Sequence, residues 1–121
     1  MSNIGEIVWR DLTVPNAAEV KDFYSKVVGW SADEHDMGEY ADFNIRTSPS
    51  ADPVAGICHA RGPNANIPPQ WLMYVQVDDV DAAAQRCIDA GGTVVDGPRK
   101  MGGSGFCVIK DPAGAVLALV S

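Results

Sequence analysis

The chain alternates between two hydrophobic periods, and their order predicts its elements. Ile7 to Val14 mixes β-branched and aromatic residues with polar ones and closes at Pro15-Asn16, as a strand followed by a turn does. Asn16 is placed to cap a helix, and from Ala17 the apolar positions Ala17, Val20, Tyr24, Val27 and Val28 recur at three- and four-residue spacing until Gly29. Strands are predicted over Trp30 to Asp36, Tyr40 to Arg46 and Val54 to Ala60, with Met37-Gly38-Glu39 as a turn. Arg61 to Gln70 has the composition of a loop. The plan then repeats. Trp71 to Val77 reads as a strand and Asp78-Asp79 as a cap. Val80, Ala83, Ala84, Cys87 and Ile88 form the buried stripe of a helix stopped by Gly91-Gly92. Further strands follow over Thr93 to Asp96, Gly105 to Lys110 and Ala115 to Val120, joined by turns at Gly102-Gly103 and at Asp111-Pro112-Ala113-Gly114.

A shift of 63 residues carries Val14 onto Val77, Ala17 onto Val80 and Gly29 onto Gly92 without a gap. Residue identity between the halves is low, so the repeated pattern is what marks the repeat. The expected fold class is α+β. The plan is two βαβββ modules, 1–62 and 68–121.

Composition narrows the function. A chain of 121 residues has room for one domain of this kind. Its net charge of −7 repels phosphate backbones and anionic lipid surfaces, so nucleic acid and membranes are not expected partners. The amino-terminal stretch lacks a basic segment followed by an apolar one, and no run of about 18 apolar residues occurs. Cys58, Cys87 and Cys107 are odd in number and lack metal-knuckle spacing, which points to a reducing, cytoplasmic location.

Alternation places Trp9, Asp11 and Thr13 on one face of the first strand, and Leu12 and Val14 on the face that packs against the helix. In the second half Leu72, Tyr74 and Gln76 take the matching face, opposite Val75 and Val77. These residues describe either a small-molecule pocket, with apolar walls and a few fixed hydrogen-bonding groups, or a second small core. Asp11, with burial beside Trp9, is the candidate acid or base, and His59 the candidate proton carrier or ligand contact. Cys58, beside His59, is the one cysteine placed for a low-pKa thiolate, but buried structural thiols are the expected reading. His35, Asp36 and Glu39 bracket a hairpin turn and are expected to be solvated.

Phe23-Tyr24, Gly29-Trp30, Val77-Asp78-Asp79-Val80, Gly91-Gly92 and the closing Asp111-Pro112-Ala113-Gly114 turn resemble the vicinal oxygen chelate superfamily. Its members include glyoxalase I, extradiol dioxygenases, fosfomycin-modifying enzymes and bleomycin-sequestering proteins. The Trp9-Arg10-Asp11-Leu12-Thr13 segment is most similar to a glyoxalase-like branch without the usual metal ligands. The resemblance implies that the two modules form curled mixed sheets around a cup with the helices on the outer face, and that the family's enzymes hold a divalent metal there through four His or Glu positions. Three of these fall here on Trp9, Leu72 and Ala118, and the fourth near Cys58 or His59. No cofactor is therefore expected. The resemblance implies a ligand-binding protein contacting a small organic molecule through Trp9, Asp11, Thr13, His59, Leu72, Tyr74, Gln76 and Ala118. The alternative is a lyase, isomerase or dioxygenase-type enzyme that uses a metal with unconventional ligands, or Asp11 as base. Homodimerisation is implied as well.

Overall fold

A computed structural model describes residues 3–121; Met1 and Ser2, with which the first expected module begins, lie outside the described residues. The elements run β1 (Ile7–Val14), α1 (Ala17–Val28), β2 (Ser31–Asp36), β3 (Ala41–Arg46), β4 (Pro53–His59), β5 (Leu72–Gln76), α2 (Val80–Asp89), β6 (Thr93–Met101), β7 (Ser104–Lys110) and β8 (Val116–Val120). The α+β class and the duplicated βαβββ order are as the two periods predicted.

The chain divides into two compact units. Arg10–Trp71 forms one; Leu72–Ser121, joined by the beginning of β1 through Trp9, forms the other. The units thus part inside β1 and at Trp71, whereas the repeat boundary lies in the loop before it. In the Arg10–Trp71 unit β1 pairs with β4 in parallel, and β3 lies antiparallel between β4 and β2. In the Leu72–Ser121 unit β5 pairs with β8 in parallel, and β7 lies antiparallel between β8 and β6. Each unit joins its first and last strands in parallel. Such a join needs a long crossover, which the helix and the intervening strands supply.

Each helix covers one sheet face. Leu12, Val14, Phe43, Ile45, Ala55 and Ile57 meet Ala17 of α1 in one core, with Val20 and Tyr24 packed against it. Val80, Ala83 and Ala84 of α2 meet Cys107 and Leu119 in the other. The expected stripes are too wide at their ends: Val27, Val28 and Ile88 are exposed. Asn16 occupies the cap position of α1, yet its side chain makes no capping bond; Asp79 of α2 does, accepting from the Asp81 N–H at 3.3 Å. Gly29 ends α1 in the left-handed conformation at φ 82°, donating to Ser25 O.

The aromatic pairs of the first half have a packing purpose. Tyr24, Trp30 and Trp71 form a cluster with ring centroids 5.5–5.8 Å apart, and Trp71 Nε1 donates to Tyr24 Oη at 3.0 Å. Gly92 has a different necessity. A Cβ there would lie 2.6 Å from Cys87 Sγ and 2.8 Å from the Lys110 carbonyl oxygen, so the turn after α2 closes only around a hydrogen. One strand runs longer than its alternation predicts: β6 continues past Asp96 to Met101, through register shifts that accommodate Gly97 and Pro98.

Phe106 is fully buried, whereas Phe23 is 55% exposed. Phe106→Ala should therefore lower the unfolding free energy by about 3–5 kcal/mol, and Phe23→Ala should change it by less than about 0.5 kcal/mol. Chemical denaturation with a constant m-value is the measurement.

Candidate functional site

The face of each sheet turned away from its helix carries the candidate chemistry. In the Arg10–Trp71 unit the parallel register sets Asp11 beside Gly56 and Thr13 beside Cys58. Their neighbours Leu12 and Ile57 lie in the core with α1, so Asp11, Thr13 and Cys58 occupy the opposite, inner face. The same alternation on β3 brings Asp42 and Asn44 to that face, since Phe43 and Ile45 are in the core. Asp11 is half-buried, and Thr13 and Asp42 are buried.

Cys58 stands between Asp11 and Asp42. Burial pushes its thiol far up from the ordinary value, and the two carboxylates push it further through their charge and through hydrogen bonds to the protonated form. The expected reading of Cys58 as a buried structural thiol agrees with this setting: the charges that face it are negative, and they hold it neutral.

Asp42 reaches past Cys58 to the end of the β4 strand. Its Oδ1 accepts the His59 backbone N–H at 2.8 Å and lies 3.1 Å from His59 Nδ1. The His59 ring sits edge-on to Tyr40 at 5.3 Å and tilted to Phe43 at 6.4 Å. Its side chain keeps 19% exposure. His59 is therefore a half-buried, anchored residue, although its place beside Arg61 and a proline-rich loop suggests the open surface. The Arg61 guanidinium lies 4.1 Å above the Tyr40 ring. His35, Asp36 and Glu39 are exposed as expected.

The Leu72–Ser121 unit presents a different face. Tyr74 lies beside Ala118, and Leu72 and Gln76 share its side; Val75 and Val77 pack with α2. Leu72, Phe106, Val108 and Ala118 are closed to solvent, Tyr74 is buried 5.7 Å from the Phe106 ring, and Gln76 is half-buried with Nε2 donating to Val77 O. Much of this face is packed core, one of the two readings its sequence allows. Its charged group is the Arg99–Asp96 pair, joined by two hydrogen bonds of 3.0 and 3.2 Å, with the guanidinium 4.9 Å above Phe106. Trp9 is half-buried at the start of β1.

A family metal does not fit this donor set. Leu72 and Ala118 have no donor atom, and the Trp9 indole offers only an N–H. Among the described residues no three His, Cys, Asp or Glu side chains are grouped as metal ligands. The sequence reading missed Asp42 and the Asp96–Arg99 pair. Asp42 was within reach, because Ala41-Asp42-Phe43-Asn44-Ile45 alternates as cleanly as β1. The Asp96–Arg99 pair depends on the irregular register of β6, which no alternation reveals.

The profile of the Glyoxalase/Bleomycin resistance protein/Dioxygenase superfamily matches residues 4–119. "Putative glyoxylase CFP32" of Mycobacterium tuberculosis is 30% identical over 121 residues, covering 99% of this chain and 45% of its own length. "Anthracycline biosynthesis protein DnrV" of Streptomyces peucetius is 32% identical over 131 aligned positions, covering 95% of this chain and 46% of its own. The chain thus spans about half the length of the curated relatives it matches. Among solved structures, a Streptomyces coelicolor methylmalonyl-CoA epimerase in complex with 2-nitronate-propionyl-CoA superposes with a TM-score of 0.54 at 18% identity, covering 98% of this chain and 94% of that one. That likeness concerns the fold.

The thiols yield a pH prediction. Burial pushes Cys107 up to about 11, and Cys58 lies higher still. An unfolded thiol ionises near pH 8.5, so above that pH the unfolded state releases protons that the native state keeps. Stability is then unaffected at neutral pH and falls as pH rises from about 8.5 toward 11. Urea midpoints across that range should drop, and Cys58→Ala should flatten the drop. In the native protein at pH 8, Cys58 should resist an aromatic disulfide reagent that labels it rapidly in urea.

Proposed function

The chain belongs to the Glyoxalase/Bleomycin resistance protein/Dioxygenase superfamily, and on that premise we propose that it binds a small organic ligand on its inner sheet faces without a divalent metal. The observation that carries this reading is the donor set. Trp9, Leu72 and Ala118 stand where the family resemblance puts ligands, and none of them can hold a metal. In the Arg10–Trp71 unit the contacts we assign are Asp11, Thr13 and, at the end of β4, His59; in the Leu72–Ser121 unit Leu72 and Ala118 are closed to solvent, which leaves Trp9, Tyr74 and Gln76 as its candidate contacts. An indole and a phenol beside a few fixed polar groups suit a ligand with a flat apolar body and several hydrogen-bonding substituents. One relative is named as a glyoxylase and another for anthracycline biosynthesis; a small organic ligand is the class we carry over from them.

We further propose a second copy of this chain as its partner and the cytoplasm as its location. The three cysteines are free, which accords with a reducing compartment. No helix among the described residues is long and apolar enough to cross a membrane.

Elemental analysis of dialysed protein should find no stoichiometric zinc, nickel or manganese, and adding these ions should leave the melting temperature unchanged. A small-molecule screen read by tryptophan fluorescence should find compounds that raise the melting temperature, by the equivalent of about 2.7 kcal/mol at a hundredfold excess over Kd. The response should be lost in Trp9→Phe. A stoichiometric, stabilising metal would overturn the reading.

A further inference from the structure

We propose that Asp42 and His59 form a carboxylate–imidazole dyad in which His59 Nε2 is a proton acceptor and Asp42 the positioning residue. This goes beyond ligand contact and does not rest on which ligand binds. The argument begins with Asp42. A carboxylate only accepts hydrogen bonds, and its Oδ1 lies 3.1 Å from His59 Nδ1, so the neutral ring carries its proton on Nδ1. The lone pair is then on Nε2, which has no protein partner among the described residues. The backbone bond from the His59 N–H to the same carboxylate, at 2.8 Å, fixes Asp42 relative to the residue whose ring it orients. Tyr40 and Phe43 wall the ring. A half-buried imidazole with one nitrogen tied to a buried carboxylate is the arrangement by which a base is held in one tautomer.

The arrangement fits an organic substrate bearing a weakly acidic C–H. The C–H bond breaks, its electron pair stays on the substrate, and the proton binds Nε2. The ring becomes an imidazolium whose second N–H faces the Asp42 carboxylate, and this charge pairing favours the transfer. Return of the proton from Nε2 to another substrate atom restores the neutral ring and leaves an isomerised product. The step requires no oxidant, reductant or second reactant.

His35 and His59 are the two histidines of the chain, so the test is clean. Long-range proton–nitrogen correlation spectra of the full chain in mildly alkaline buffer should place the His59 proton on Nδ1, and Asp42→Asn should release it to the mixture shown by the exposed His35. Nitrobenzisoxazole then probes the base: removal of its ring proton opens the N–O bond to a coloured phenolate without another reactant. Wild type and His35→Gln should promote this at the same rate, and His59→Gln should lower it about 100-fold. Asp42→Asn should lower the rate together with its loss of the Nδ1–H tautomer. If Asp42→Asn fails to fold, the wild-type tautomer and His59→Gln decide the matter. A His59 proton on Nε2 in wild type, or equal rates for wild type and His59→Gln, would overturn the proposal. Neither outcome depends on the metal and ligand measurements, so the two readings fail separately.

Discussion

Parallel pairing of the first and last strands of each unit is the constraint from which the rest follows. Leu12 beside Ile57, and Val75 beside Leu119, put pairs of apolar side chains on the side where the helix must return. Side chains alternate along a strand, so that commitment sends every second residue to the inner face. Slipping either register by one residue would exchange the two faces. The helix-side core would then receive Asp11, Thr13 and Cys58, and the desolvation of a carboxylate without its partners would exceed what the packing contributes.

Within that shared frame the two inner faces have diverged. In the Leu72–Ser121 unit the face is largely apolar and solvent-excluded, and its ion pair sets the Arg99 charge against Asp96. In the Arg10–Trp71 unit the same positions bear carboxylates, a hydroxyl and a thiol. The duplicated backbone explains why both faces exist; the side chains explain why they differ in polarity. This separation is also why the family frame says so little about reaction type.

Much of this was legible from local patterns. Period two assigned the faces of β1 and β5 correctly, because Leu12 and Val14 are buried in the α1 core and Val75 and Val77, partly buried, pack against the α2 core. Period 3.6 located both helices, and it failed at Val27, Val28 and Ile88, which stand exposed in the last turns. The contacts that set the character of Cys58 and His59 were less legible. They depend on Asp42, which is sixteen and seventeen positions away in the chain and adjacent only through the β3–β4 pairing. A neighbouring histidine in sequence leaves room for an activated thiol beside the expected structural one. Two carboxylates from other strands decide for the structural one.

The polar face of the Arg10–Trp71 unit is best understood as an ordered set of protons. Cys58, kept neutral by burial and by Asp11 and Asp42, is a donor toward those carboxylates and offers no nucleophile. Asp42, thus supported on one side, directs its other contacts to the His59 backbone and Nδ1. A buried carboxylate persists only when such partners offset its desolvation, and here each partner also fixes the position of a hydrogen. The sequence of donors and acceptors runs from Cys58 through Asp42 to the imidazole and ends at Nε2. That atom is the one the proposed dyad leaves open, because Asp42 takes up Nδ1.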